Sequence, residues 1–312
     1  TKEDHAMSVH LEEMLAACKP YTQQGQLPSY IPALKKGDPK HLGVCLLSCD
    51  GQLIQAGDCG VQFSIQSIVK PILLLQALLD NGVDAVRAHV GVEATGKPFD
   101  AINYTDQVLD SQHLNPMVNM GAIAVCSLIR GSSYQERFHR LLALTRLLAG
   151  EDARIQVNED VYRSEKASGN KNRALAYLLK TYGIIQDDVE EVLDCYFHAC
   201  AISTDCVGLA RMGCVLANKG CQPGSQDPII PPEYARFVNA ILTTCGMYDG
   251  SGDFAVRVGV PAKSGVGGGI MAVVPSRMGI GIFSPALDAK GNSLAGTRLL
   301  ELLSRELNLS IF

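Results

Sequence analysis

The chain contains no tryptophan, and aromatic residues make up only 6% of it. Charge is sparse as well, at 19% of residues, and the formal net charge of −5 leaves no basic surplus. A phosphate backbone is tracked by a clustered cationic face. Lysines and arginines are scattered here, so nucleic-acid binding is not expected. No apolar run approaches the roughly 18 residues of a membrane span. The greasiest stretch, Ile68 to Leu79, is interrupted by Lys70, Pro71 and Gln76. The first residues, Thr1-Lys2-Glu3-Asp4-His5, are polar and show no leader or cleavage-site pattern, so no export is expected. Eleven cysteines contain no C-x-x-C pair and no His/Cys cluster at zinc spacing. Cys45, Cys126 and Cys214 lie in apolar stretches, where a reduced thiol packs as a small hydrophobe. A soluble protein of the reducing cytoplasm is the expectation.

What is present is enough for a sizeable core: 312 residues, 47% of them hydrophobic. That length fits one globule with an inserted lobe, or two domains. An amphipathic helix is expected over His10 to Ala17, then a loop carrying Pro20, Pro28 and Pro32. Leu42–Leu47 and Leu53–Ala56 flank Asp50-Gly51, a favoured hairpin turn, and read as paired strands. From Ser67 to about Gly246 the pattern is mostly helical. Ser133–Ala149, Asn172–Tyr182, Val189–Ala199, Asp205–Asn218 and Pro232–Cys245 each carry helical periodicity, with Gly150 and Gly220 at helix ends. Strand patterns return at Phe254–Val260, Gly269–Val274 and Met278–Phe283, before a last helix over Gly296–Leu307. This order implies an α/β (α+β) protein: an antiparallel sheet from both termini, flanked by helices, with a helical lobe inserted. The boundaries fall at 1–66 with 247–312 for the sheet lobe and 67–246 for the helical lobe.

Chemistry concentrates in Ser64-Ile65-Gln66-Ser67-Ile68-Val69-Lys70-Pro71. Ser67 and Lys70 are three apart and share a helix face. An unprotonated lysine amine beside a serine hydroxyl can generate an alkoxide-like nucleophile. Pro71 is tolerated only in a first helical turn, which makes Ser67 the expected N-cap, its N–H free for an oxyanion. Alone, such a tetrapeptide reads equally as a capping serine and a solvated lysine. Here the lysine lies in an apolar run. A second motif, Lys263-Ser264-Gly265, opens a glycine-rich stretch that resembles the K-[ST]-G strand of penicillin-binding proteins and class A β-lactamases. Alone it is also an ordinary turn between strands. Paired in this order, the two motifs support each other.

The chain as a whole resembles the serine-dependent glutaminase family, which has the β-lactamase-like fold, from about Leu27 to Ile311. The likeness is carried by Tyr30–Leu34, Phe63–Lys70, Asn115–Ala122, Arg163-Ser164-Glu165, Cys245–Asp249 and Val258–Val266. Ser284-Pro285, Leu287-Asp288 and Gly291-Asn292-Ser293 add to it. By that resemblance Ser67 is the nucleophile, Lys70 its base and Tyr248 a proton relay, with Tyr30 a second pocket tyrosine. Asn119, Glu165, Asn172, Tyr196 and Val266 correspond to substrate-contacting positions, Val266 through its backbone N–H. The types suit a free amino acid: Glu165 for the ammonium, and Asn119, Asn172, Tyr30 and Tyr196 as neutral donors to the carboxylate. The implied reaction converts L-glutamine to L-glutamate and ammonia through an acyl-enzyme, with neither metal nor organic cofactor. A homodimer or homotetramer is implied too. Val69 stands where a serine is common, Met120 where alanine is, and Ala94-Thr95-Gly96 where Pro-Ser-Gly is usual. All three neighbour the chemical groups and bear on pocket shape.

Two other readings stand beside this one. A β-lactamase or D-Ala-D-Ala peptidase shares S-x-x-K, but no S-D-N motif occurs here and no export signal is seen. A catalytically silent glutamine-binding scaffold would not need serine, lysine and tyrosine together.

Overall fold

The computed structural model describes residues 2–102 and 114–312. The first helix, α1 (Lys2–Cys18), begins eight residues before the apolar pattern does. Its added turns need no burial, and Glu3 and Asp4 suit the positive end of a helix. The hairpin of β1 (Gly43–Ser48) and β2 (Leu53–Gly57) turns where expected, with Gly51 at φ 99°. A short strand, β3 (Phe63–Ser64), leads into α2 (Val69–Asn81) and α3 (Val83–Arg87). After residue 113 come α4 (Asn119–Ser127), α5 (Tyr134–Ala149), β4 (Gln156–Val157) and α6 (Glu159–Ser168). The helical region continues with α7 (Asn170–Thr181), α8 (Val189–Cys200), β5 (Ile202–Thr204), α9 (Cys206–Ala217) and α10 (Pro232–Cys245). The last part holds α11 (Ser251–Arg257), β6 (Ala262–Ser264), β7 (Gly269–Val274), β8 (Met278–Phe283) and α12 (Leu294–Leu307).

The main sheet has the order β2-β1-β8-β7-β6, every neighbour antiparallel, so its strands come from both ends of the described chain. Strand side chains alternate between faces, and the sheet therefore divides two cores. Val44 and Leu46 of β1, Ile270 and Ala272 of β7, and Ile280 and Ile282 of β8 pack with Leu11, Met14, Leu299 and Leu303 from α1 and α12. Cys45, Leu47, Met271, Val273 and Phe283 join the larger core on the other face, built mainly from α2, α4, α5 and α7–α10. A smaller antiparallel sheet, β3-β5-β4, sits within that helical region. Side-chain caps from Ser133, Asn158, Asp188, Asp205 and Ser293 satisfy first-turn amides of five helices.

One expected strand is a helix. Phe254, Val256, Val258 and Val260 alternate as strand residues do, yet the chain forms α11 here. Phe254 and Val258 are buried, four apart, while Val256 is 88% exposed. That burial follows the helical period, and Gly259 at φ 76° ends the segment. All eleven cysteines are free, and nine of them are buried. Among the described residues no helix is long and apolar enough to cross a membrane.

In β8 the sequence Met-Gly-Ile-Gly-Ile-Phe puts Gly279 and Gly281 on one face, where α9 lies directly against the backbone. A methyl at Gly281 would stand 2.0 Å from the Cys206 carbonyl oxygen and 2.8 Å from the Ala210 nitrogen. Helix and strand backbone cannot yield there without moving α9 off the sheet. Gly281→Ala is expected to lower unfolding free energy by ~1–3 kcal/mol, the usual cost of overpacking. Urea denaturation measures it, and an unchanged midpoint would mean the helix–sheet spacing is soft.

Candidate active site

Ser67 lies at the junction of β3 and α2. It is not the N-cap. Gln66–Ile68 form a single 3₁₀ turn that runs into α2, and Ile68 is the residue before the helix. Pro71 is then third in α2, still within the first turn where its missing N–H costs nothing. The turn is entered through Gln66 at φ 49°, a left-handed value uncommon outside glycine. Its side chain donates to Ser64 Oγ at 3.0 Å, which helps hold the kink. Ser67 is 8% exposed.

Lys70, one turn on, is wholly buried, and its Nζ donates to Asn119 Oδ1 at 2.7 Å. Asn119 opens α4, where its backbone N–H donates to the Phe99 carbonyl. Its side-chain Nδ2 donates in turn to Asn172 Oδ1 of α7 at 3.0 Å. Three candidate residues from three helices thus form one chain of hydrogen bonds. Burial pulls the Lys70 amine down to about 8, an effect partly opposed by the carboxylates of Glu165 and Asp100. Phe99, which no sequence pattern singled out, has its ring centre 5.7 Å from Lys70 Nζ and 4.5 Å from the Tyr248 ring centre.

Glu165 is buried on α6, one turn after Val161, on a helix that is otherwise mostly polar. Its Oε2 has no hydrogen-bond partner among the described residues. Burial pushes its carboxyl up to about 8, against the lowering effect of the Lys70 charge. Tyr196 and Cys200, one turn apart on α8, complete this buried side. Burial and then the Glu165 charge drive the Cys200 thiol well up, which keeps it protonated and unreactive.

Tyr248 reaches in from the opposite wall. Its backbone is also left-handed, at φ 57°, and its hydroxyl donates to the Ser264 carbonyl at 3.4 Å. Burial raises its phenol well above the usual range, while the nearby Ser67 and Ser264 act the other way. Two left-handed non-glycine residues, Gln66 just before the serine and Tyr248 itself, therefore lie at the site, a form of strain that clusters at working sites. The distant lysine-serine-glycine segment does come here. A methyl on Gly265 would meet the Ile65 carbonyl oxygen at 2.4 Å, and one on Gly267 the Ser64 oxygen at 2.3 Å. Glycine at both positions lets this loop lie on the segment that leads to Ser67. Between them, Val266 is buried, and its backbone N–H donates to no group among the described residues.

Tyr30 is 52% exposed, at the mouth of a cleft of about 640 Å³ that Phe99, Val266, Asp249 and Lys290 also line. Ser67 and Lys70 are not in that lining. Phe99 lines the cleft and also neighbours both Lys70 and Tyr248, so it stands between those two residues and the cleft. Among the described residues no three His, Cys, Asp or Glu side chains converge as a metal site. Sequence reasoning passed over Phe99 and Cys200. Phe99 sits outside any helix or strand and shows no periodicity, and Cys200 is indistinguishable from ten other cysteines.

Comparison with known proteins places the chain. The Glutaminase family model matches residues 25–312. A glutaminase of Clostridium tetani is 50% identical over 306 residues, 98% of this chain and 100% of that protein. One from Clostridioides difficile is 49% identical over 302 residues, 97% of each. A solved structure, the probable glutaminase of Bacillus subtilis complexed with 6-diazo-5-oxo-L-norleucine, superposes with a TM-score of 0.89. It is 39% identical, over 98% of this chain and 96% of that one. The sheet built from both ends and the inserted helices are thus the β-lactamase-like fold of these enzymes. With fold, full-length identity and family match in agreement, the chain belongs to the glutaminase family.

Proposed function

We propose that the chain hydrolyses the side-chain amide of L-glutamine by acyl transfer through Ser67. The observation that carries this reading is the Lys70 amine. It is fully buried, bonded to a neutral amide oxygen, and has its pKa drawn to about 8, one helical turn from Ser67. Ser67 Oγ attacks the amide carbon and its proton passes to Lys70. The oxyanion is met by backbone N–H groups, of which that of Val266 has no other partner among the described residues. Tyr248 relays a proton to the leaving nitrogen, ammonia departs, and water attacks the glutamyl ester with Lys70 again as base.

Substrate selection follows from the same walls. Glu165, its Oε2 unpartnered, pairs with the α-ammonium, which stabilises the ionised carboxylate that burial alone disfavours. Asn119 holds the Asn172 oxygen, so the Asn172 amide nitrogen is left to donate to the substrate carboxylate with Tyr30 and Tyr196. A Bacillus subtilis glutaminase forms a covalent complex with 5-oxo-L-norleucine on reaction with 6-diazo-5-oxo-L-norleucine. That compound is an amino acid with an electrophilic carbon beside a side-chain ketone, and an activated nucleophile suits it. Assembly as a homodimer or homotetramer, and residence in the cytoplasm, belong to the same proposal.

Ser67→Ala is expected to reduce ammonia release from glutamine to background while glutamine still raises the melting temperature. Wild-type turnover by that variant would remove Ser67 from the chemistry. The pH profile tests the base. Bound substrate holds Glu165 ionised, so kcat reports Lys70, which must be neutral to accept a proton. Below its value of about 8, kcat should fall about tenfold per pH unit, and above it should level off. Lys70→Arg should lose ~10²-fold or more in kcat, because guanidinium does not give up its proton. A normal rate in that variant would make the side chain a fixed charge only.

A further inference from the structure

Helix α6 presents Glu165, yet little apolar surface holds the helix down. Val161 is its one buried apolar residue, and Glu165 is its other buried side chain. Packing of an apolar face is what usually fixes a short helix, so α6 needs another attachment. Much of it is polar and gathers on Asp194 of α8, a buried carboxylate that the acyl-transfer steps above do not use. Asp194 Oδ1 accepts from the Tyr162 hydroxyl and, at 2.8 Å, from Lys166 Nζ, both on α6. Lys166 Nζ also donates to the Tyr162 oxygen at 3.1 Å. The three side chains close into a ring of hydrogen bonds.

His198, one turn after Asp194, backs this ring. Its Nδ1 donates to the Asp194 carbonyl at 2.8 Å, and its imidazole stacks on Tyr162 with centres 3.6 Å apart. Phe138 of α5 lies 5.3 Å from the same imidazole. Tyr162 therefore cannot swing away from Asp194 without unstacking. A carboxylate taken out of water is costly unless charged and hydrogen-bonding groups meet it. Both groups that meet this one come from a single neighbouring helix. Tyr162 and Lys166 bracket Glu165 on α6, and Asp194 stands just before Tyr196 on α8. The ring thus sets how the helix of Glu165 sits on the helix of Tyr196.

We infer that Asp194 is a positioning residue for Glu165. Through Tyr162 and Lys166 it holds α6 at the register on α8 that aims the Glu165 carboxylate at the substrate α-ammonium. The inference rests on the reading of Glu165 as the ammonium partner. Glu165 Oε2 has no partner among the described residues, so no hydrogen bond at that atom fixes the carboxylate before substrate arrives. Its aim depends on the helix that carries it. Without the ring, α6 is free to shift by the roughly 1 Å that separates a good contact from a poor one. The loss falls on binding, because the α-ammonium is unchanged between ground state and transition state.

Competitive inhibition of glutamine hydrolysis by L-glutamate and by glutarate, its analogue without the amino group, tests this. Asp194→Ala should raise the inhibition constant of L-glutamate about tenfold and that of glutarate less than about twofold. The KM for glutamine should rise with the former, while kcat stays within about twofold. Asp194→Asn still accepts from the Tyr162 hydroxyl and should show a smaller rise for L-glutamate, about threefold. It takes the place of the Ala variant if that one does not fold. Equal weakening of both inhibitors, or no change in either, would make the ring a packing feature and overturn the inference alone. A fall in kcat with KM unchanged would do the same. A Glu165→Gln enzyme that binds L-glutamate as tightly as wild type would overturn the ammonium reading, and this inference with it.

Discussion

An amine taken out of water and given an amide oxygen, not a carboxylate, as its partner holds its proton loosely. Lys70 is in that position, bonded to Asn119 on one side and shielded by Phe99 on another. A carboxylate at hydrogen-bond distance would have fixed the proton in place. Glu165 is close enough to act on Lys70 electrostatically but is not hydrogen-bonded to it among the described residues. Much of the surrounding structure follows from this. Helix α2 must be apolar to bury the lysine, α4 must begin at Asn119, and α7 must bring Asn172 against Asn119 to orient its amide.

The second constraint is close approach. The loop 265–267 can meet Ser67 only because glycine at positions 265 and 267 leaves room for the carbonyls of Ile65 and Ser64. The same device recurs where α9 meets Gly279 and Gly281, which sets the height of the helical region over the sheet. Strain at Gln66 and Tyr248 is held by these contacts and by Asn292, which accepts from Ser264 Oγ and donates to the Met247 carbonyl, not by local preference.

Much of the fold was legible in the sequence, for physical reasons that can be named. Strands β7 and β8 and helix α10 have the expected bounds because pattern, length and flanking turn residues agree there. Helix α4 escaped notice because a segment buried all round has no period. Helix α6 escaped because only Val161 and Glu165 are buried on it. Helix α11 was misread since alternation over seven residues does not distinguish a strand from a helix with one exposed valine. The meeting of Ser67, Lys70 and the Lys263–Val266 stretch was legible from two motifs. That Asn119 would hold Lys70, and that Phe99 would part it from the cleft, depends on tertiary contacts with no local signature.

The account turns on Ser67 being the activated nucleophile. Treating the protein with 6-diazo-5-oxo-L-norleucine and mapping the product by peptide mass spectrometry tests that most directly. The account predicts one adduct per chain, on Ser67, formed far more slowly when Lys70 is replaced by arginine. An adduct on another side chain, with the buried Cys200 thiol the nearest alternative, or an unchanged rate in the arginine variant, would contradict it.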